Sequence, residues 1–211
     1  NKTNYPTAKL LAPSAITYTN LSDGGLIFID GSEPATGSLT DYNSTKEIAK
    51  AKTLVLVGRY EGVHPTLEVC ELRANENDAI FANMHLKTFA GATSSFAKNS
   101  GATKYTSLKF YDSFFEPVKQ AIYQLNSVNV CFKEIVFDNS IVKMFPAADT
   151  SLVAMNGANR TYNEVSSIVI NNTVIYSETL FSGYVIWGQT SSAVCNMPNL
   201  TIKVTGSTIS G

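Results

Sequence analysis

Short apolar runs separated by polar turn residues dominate the chain and predict a mainly β protein. Residues 24–31 (GGLIFIDG) and 53–60 (TLVLVGRY) have the continuous apolar character of buried strands. Near the end, Leu200, Ile202 and Val204 alternate with polar side chains, which is typical of a half-buried strand. Similar runs recur throughout, so we expect about ten or eleven short strands. No internal repeat or linker is evident, which favours one continuous β domain.

One segment has helical rather than strand periodicity. An amphipathic helix is predicted near residues 113–126, with Ser113 and Glu116 spaced as a capping box at its start. Its apolar side would comprise Phe114, Phe115, Val118, Ala121, Ile122 and Leu125. Ser44 and Glu47 have the same capping spacing, so a shorter helix is expected in 43–52.

The order of these elements determines the expected fold class. Strands do not alternate with helices, which argues against a parallel, doubly wound sheet. We therefore expect an antiparallel Greek-key β-sandwich, Ig-like or pilin-like, with the one amphipathic helix as an addition.

The charge content limits the classes of partner. The 211 residues include 16 basic and 17 acidic side chains, and 16% of the chain is charged, against about 25% in a typical domain. This balance gives no electrostatic basis for binding nucleic acid or an anionic membrane. No apolar run is long enough to span a membrane as a helix.

Neutral polar residues take the place of the missing charges. The chain contains 18 Asn, 21 Ser and 21 Thr, and it begins with Asn1 rather than Met, as a processed, exported protein would. We expect an extracellular protein in which several N-glycosylation sites are occupied, the alternative being ordinary turn asparagines. The acceptor sites are Asn1, Asn20, Asn43, Asn159, Asn171 and Asn199.

Cys70, Cys131 and Cys195 are the disulfide candidates. An exported chain would form one disulfide and keep one thiol, and all three pairings are open; three reduced, buried thiols are the alternative. With His64 and His85 as the only histidines and no C-x-x-C spacing, we expect no zinc site.

No catalytic residues are predicted, and we expect the protein not to be an enzyme. His64 precedes a proline and His85 lies in a predicted strand, so neither has the setting of a catalytic base. Phosphate-binding and EF-hand loops are missing, so no cofactor is expected beyond N-linked glycans. Trp187 with nearby Tyr184 is a potential sugar-binding platform, although strand alternation places them on opposite faces and a core role for Trp187 is the ordinary alternative.

The N-terminal segment 1–19 is interpreted as an extended arm and 20–211 as the β domain. Pro13 restricts the arm to a sheet edge. It is either the first edge strand of its own domain or a donor strand that adds to a neighbouring subunit through Leu10, Ile16 and Tyr18.

The arm TAKLLAPSAITYTN, the glycosylation sites and the β-rich composition resemble the subunits of archaeal thread filaments and, more loosely, bacterial chaperone–usher pilins. The resemblance implies a glycosylated extracellular filament of identical subunits, joined head to tail by donor-strand complementation near residues 7–19. The helix near 113–126 departs from a minimal pilin. The alternative is a receptor- or carbohydrate-binding domain of a viral or cell-surface glycoprotein, with a glycan as partner.

Overall fold

The computed structural model describes residues 8–32, 35–39, 53–59, 64–70, 72, 78–89, 95–99, 107–124, 132–148, 150–156, 160–189 and 195–211. Within these residues the chain winds as a β-solenoid, in which a strand of one sheet is followed, after a corner, by a strand of another sheet. We call one such circuit a coil. All strand pairings of the described residues are parallel and join one coil to the next.

Three main sheets form the sides of the solenoid. Sheet A contains, in spatial order, β1 (Lys9–Leu11), β2 (Gly25–Ile29), β4 (Leu54–Gly58), β6 (Asp78–Ala82), β9 (Ser107–Tyr111), β12 (Glu134–Asp138), β16 (Ser166–Asn171) and β20 (Leu200–Thr205). Sheet B contains β3 (Gly37–Leu39), β5 (Thr66–Val69), β7 (His85–Thr88), β10 (Phe114–Glu116), β13 (Ile141–Lys143), β17 (Val174–Tyr176) and β21 (Thr208–Ser210). Sheet C contains β8 (Ala97–Asn99), β11 (Gln120–Gln124), β14 (Ser151–Asn156) and β18 (Tyr184–Gln189). A separate pair joins β15 (Arg160–Thr161) to β19 (Cys195–Asn196).

Equivalent positions of successive coils stack in columns inside the solenoid. The rings of Phe81, Phe110 and Phe137 are nearly parallel, with centroids 5.4 and 4.6 Å apart. Successive members of their column are 25 to 34 residues apart in the chain. The full column is Ile27, Leu56, Phe81, Phe110, Phe137, Ile170 and Val204. Burial of these columns against each other supplies the hydrophobic stabilisation of the fold.

The corner between sheets A and B depends on a left-handed backbone conformation. Asn83, Asp112, Asn139 and Asn172 have φ between 46° and 53°, and Gly206 has φ 58°. Asn, Asp and Gly are the residues that adopt this region at least cost. Gly58, at the end of β4, lies at the equivalent position in the coil before Asn83, where a Cβ would lie 2.0 Å from the carbonyl oxygen of Asn83. Coils can therefore stack closely here only if that position has no side chain.

A ladder of hydroxyl groups follows this corner, of which Ser113, Ser140 and Thr173 are buried and Ser207 is partly exposed. Ser113, Ser140, Thr173 and Ser207 each donate to a carbonyl oxygen two residues earlier, at 2.7–2.9 Å. Each hydroxyl oxygen also accepts a hydrogen bond from a backbone N–H of the preceding coil, at 3.0–3.3 Å. The ladder thus satisfies backbone donors at a point where the strands bend and cannot pair with each other.

The two ends of the solenoid differ. At the N-terminal end, a 3-10 helix (Pro13–Ala15) and α1 (Tyr18–Leu21) follow β1, with Leu21 fully buried. At the other end, β20 and β21 have neighbours on one side only among the strands that the structure describes, and Ile202 and Ile209 are about half exposed. The last coil therefore leaves its interior columns open.

The mainly β prediction is confirmed, but the antiparallel Greek-key sandwich is wrong, because all described pairings are parallel. Asn and Asp at positive φ are also typical of the tight turns in antiparallel hairpins. The turn residues in the sequence therefore fit an antiparallel sandwich as well as they fit the corners of a solenoid. Asn171 illustrates the difference, since β16 turns there into another sheet rather than into a hairpin. The expectation of no internal repeat is wrong for the same reason.

The helix predicted near 113–126 is also wrong. The segment forms β10 and β11, separated by a corner at Pro117 and by Lys119, which has φ 52°. Phe115 and Ile122 both point inward, but from two different short strands. Because the corner between the strands interrupts the strict alternation of buried and exposed residues, the apolar residues of the segment have the spacing of a helix. Leu125 and the helix expected in 43–52 lie outside the described residues.

The hydroxyl ladder makes a prediction about stability. Ser140→Ala should lower the free energy of unfolding by about 1–3 kcal/mol, because the buried N–H of Ser113 loses its acceptor. Urea unfolding measures this change. Ser210→Ala, which removes an exposed hydroxyl of sheet B, is the control and should change stability by less than about 0.5 kcal/mol. Equal effects of the two substitutions would contradict the ladder.

Candidate functional site

The outer face of sheet B presents two columns of side chains that run along the solenoid. The first column has three apolar members at its centre, and it contains Thr66, His85, Phe114, Ile141, Val174 and Thr208. The charged column contains Glu68, Lys87, Glu116, Lys143, Tyr176 and Ser210. Side chains point outward at every second residue of a strand, so each strand contributes one member to each column. Residues distant in the sequence are thereby brought together on one surface.

Glu116 is the centre of an ionic cluster in the charged column. Its Oε2 atom lies 2.6 Å from Nε2 of His85 and 3.3 Å from Nζ of Lys87. Nζ of Lys143 lies 4.0 Å from Oε1 of Glu116, but only 2.8 Å from a carboxylate oxygen of Glu178. Glu116 therefore has several cationic neighbours, whereas Glu178 contacts Lys143 from a largely exposed position.

The environment of His85 favours its neutral form. The ring stacks on Phe114 with centroids 4.7 Å apart, and Nδ1 lies 3.3 Å from the hydroxyl of Thr66. Burial lowers the pKa of His85, and this outweighs the hydrogen bond to Glu116, which acts in the opposite direction. A neutral imidazole donates from Nε2 to Glu116 and accepts from Thr66 at Nδ1, so both nitrogens have partners.

Glu116 and Lys143 are held in their charged forms. Burial acts to raise the pKa of Glu116, but the hydrogen bond with His85 and the charge of Lys87 together keep that pKa below its usual value. The hydrogen bond to Glu178 raises the pKa of Lys143. Near neutral pH Glu116 and Lys143 are therefore charged, whereas His85 is neutral.

The described residues form two clefts beside this face. The charged cleft has a volume of about 360 Å³, and Lys87, Glu116, Lys143 and Glu178 line it together with apolar residues. These apolar residues include Pro117, Pro146 and the half-exposed ring of Phe145. The corner cleft, of about 250 Å³, lies beside Asn83, Asp112, Phe114, Asn139 and Ile141. The face thus combines apolar surfaces with hydrogen-bonding groups, as ligand sites do.

Thr88 lies at the charged cleft and is 4% exposed. Its hydroxyl is buried and has no hydrogen-bond partner. Most buried polar groups in proteins are paired, so this hydroxyl is an exception. Thr88 follows the outward-facing Lys87 in β7, so its side chain points into the solenoid interior and its hydroxyl is not accessible to a ligand in the cleft.

The structure does not bring the predicted glycosylation sites together. Asn20 and Asn199 are exposed, and their Nδ2 atoms donate to the carbonyl oxygens of Ala15 and Asn163. Asn171 donates from Nδ2 to Asp138 within a corner ladder, an unfavourable place for a glycan. Asn1, Asn43 and Asn159 lie outside the described residues, and glycosylation stays a prediction.

The proposed donor-strand residues belong to the N-terminal end of the solenoid. Leu10 lies in β1 opposite Phe28 of the same chain, Ile16 is buried in the core, and Tyr18 packs against the core from α1. From Lys9 onward, the arm therefore packs against the rest of the same chain. Exchange of this strand between subunits stays a prediction, as does the boundary between arm and domain at residue 19.

Cys70 is a buried free thiol, so the two pairings that include it are not formed. Cys131 lies outside the described residues, and the side chain of Cys195 is not described, so their pairing stays a prediction.

The rings of Tyr184 and Trp187 stack at 5.2 Å on the outermost strand of sheet C. Placing them on opposite faces was therefore wrong. Tyr184 is 47% exposed and Trp187 is partly exposed, so this pair is a second aromatic surface.

Sequence reasoning overlooked the grouping of His85 with Glu116 and Lys143. His85 was expected to be an ordinary strand histidine, and Glu116 was interpreted as a helix cap. The available signal was the recurring pattern of apolar alternation followed by an Asn, Asp or Gly and a small polar residue at 112–113, 139–140, 172–173 and 206–207. When the segments of the sequence are aligned on that pattern, the members of each column of sheet B fall at equivalent positions.

No group of three or more His, Cys, Asp and Glu side chains in the described part of the chain could hold a metal ion. Among the same residues, no helix has the length and apolar character needed to cross a membrane. Comparison of the chain with protein-family models, curated proteins and solved structures finds no match in any of them.

The His85–Glu116 pair makes the stability depend on pH. Both groups have a pKa below the usual value in the folded protein, so the unfolded chain binds more protons on acidification. The contribution of His85 is present above its unfolded pKa of about 6.5 and is lost as the pH falls through the lower folded value.

We expect stability to fall between pH 7.5 and 5.5 and His85→Gln to reduce this fall, because glutamine can still donate to Glu116 but does not titrate. Urea unfolding at the two pH values measures the difference. His64→Gln is the comparison: the charge of the exposed His64 is the smallest of the effects on the pKa of His85, so this substitution should reduce the fall much less than His85→Gln. An undiminished fall in His85→Gln would show that this pair is not responsible.

Proposed function

We propose that the protein is an extracellular glycan-binding β-solenoid and that the outer face of sheet B is its binding surface. The observation that carries the proposal is the charged cleft, where the exposed Phe145 ring lies beside ionised hydrogen-bonding groups. Sugars have apolar faces that stack on aromatic rings and hydroxyl groups that need donors and acceptors. The low charge content and the glycosylation sites of the sequence support a location outside the cell.

The regular geometry of the face favours a polymer as ligand. Neighbouring strands of a sheet are about 4.7–4.9 Å apart, so a chain that lies along the solenoid meets equivalent positions in every coil. A polysaccharide also repeats one unit along its length, so its successive units can contact successive coils. An extended peptide is less suitable, because peptides bind sheets through main-chain hydrogen bonds at an edge, and the backbone groups within this face already pair with neighbouring strands.

Phe145→Ala tests this surface. We expect about tenfold weaker binding to a polysaccharide in affinity electrophoresis or calorimetry, because a half-exposed ring contributes binding area without supporting the core. Val165→Ala, which truncates an exposed apolar side chain elsewhere, is the control and should bind normally.

A loss of binding in Tyr184→Ala but not in Phe145→Ala would transfer the site to the Tyr184–Trp187 pair and contradict the proposed surface. Failure of the unaltered protein to bind any polysaccharide in a broad panel would contradict the proposed function itself.

Self-association is a second candidate function, and the last coil favours it. Its half-exposed side chains Ile202, Val204 and Ile209 continue the interior columns, and β20 has a free edge. The N-terminal end is a poor partner for this surface, because the 3-10 helix and α1 follow β1 there, and Ile16 and Leu21 of this segment already pack in the core. We therefore propose that two copies associate through their last coils, related by a two-fold axis.

Sedimentation of the chain over a range of concentrations tests this association. We expect a dimer at micromolar concentrations and dissociation in Ile209→Lys, which places a charge in the apolar interface. Thr208→Lys, on the outer side of the same strand, is the control and should remain dimeric. A monomer at all concentrations would contradict the proposal, whereas long fibres would favour the head-to-tail filament over this closed dimer.

A further inference from the structure

We infer that the charged cleft binds an acidic sugar, whose carboxylate replaces Glu178 on Lys143. The inference rests on the proposed glycan-binding function and specifies the chemical class of the ligand. It depends on a difference between the two carboxylates that line the cleft.

Glu116 is held too firmly to be displaced. Oε2 has contacts with both His85 and Lys87, and three quarters of the side chain is removed from solvent. Withdrawal of this carboxylate would leave partly buried cationic and hydrogen-bonding groups without a partner, which is costly. Glu116 is therefore a fixed part of the wall.

Glu178 has the opposite properties. Its side chain is 66% exposed, and its contact with Nζ of Lys143, at 2.8 Å, is an exposed ion pair. Such pairs stabilise proteins little, because water and salt compete with them. A carboxylate of the ligand can therefore take the place of Glu178 at small cost, while Glu178 turns into solvent.

Lys143 is placed to accept this exchange. An ammonium group has three donors, and the 4.0 Å separation from Glu116 is too long for a hydrogen bond. Lys143 and Lys87 both line the cleft, whose apolar side is formed by Phe145, Pro117 and Pro146. One sugar ring can thus stack on the apolar wall while its carboxylate meets Lys143. The volume of about 360 Å³ is within the range of small-molecule sites.

Binding of a matched pair of polymers to the full chain tests the inference. One probe is polygalacturonic acid, and the other is the same polymer after reduction of its carboxyl groups to alcohols. We expect the acidic polymer to bind more tightly, and its advantage to decrease at high salt. Lys143→Met should remove most of that advantage.

The variant that distinguishes this mechanism from simple charge attraction is Glu178→Gln. Because the ligand no longer competes with a carboxylate, affinity for the acidic polymer should rise about fivefold, and affinity for the reduced polymer should change less. Glu68→Gln, which removes the same charge from the charged column outside the cleft, is the control for simple charge attraction and should have a much smaller effect. An unchanged or lower affinity in Glu178→Gln would overturn the exchange.

The outcomes separate the two proposals. Equal binding of both polymers would contradict the acidic-sugar inference and leave the glycan-binding function intact. If neither polymer binds, while a panel of neutral polysaccharides does, the inference again fails alone. Failure of all polysaccharides to bind would overturn both proposals.

Discussion

In a parallel solenoid the corner of each coil must lie at the residue that pairs with the corner residue of the preceding coil. Here the corner between sheets A and B depends on a column of residues in the left-handed conformation, from Asn83 to Gly206, stacked on Gly58. The hydroxyl ladder that follows supplies acceptors to the preceding coil at the same point. A displaced corner would shift the register by one residue and would turn the interior side chains outward. The remaining structure, including the outer face of sheet B, depends on this alignment.

The alignment explains how a chain without a local functional motif builds a chemically distinctive surface. His85 and Glu116 are 31 residues apart in the sequence, yet they form a contact of 2.6 Å because β7 and β10 are neighbours. The same register places Lys87 and Lys143 on either side of Glu116. The side chains of this face have rigid spacing because the strands that carry them are fixed by sheets on the other sides of the coil.

Much of the local structure was predictable from the sequence, whereas the arrangement of the strands was not. The strands at Gly25–Ile29, Leu54–Gly58 and Leu200–Thr205 agree with their apolar patterns, because the pattern of apolar residues reports how a strand is buried. The alternation of apolar residues within a strand does not indicate which other strand lies beside that strand in the sheet. The decisive information was the repeat, and it was obscured because the coils vary in length and share residue types rather than identities. Phe110 and Ile170, for example, occupy equivalent positions.

A crystal structure of the chain is the most direct test of the central claim, that stacked parallel coils assemble the charged column. It should show β7, β10 and β13 as parallel neighbours, with Glu116 between Lys87 and Lys143 and in contact with His85. An antiparallel arrangement of these strands, or His85 and Glu116 on different surfaces, would contradict the solenoid and the binding face derived from it.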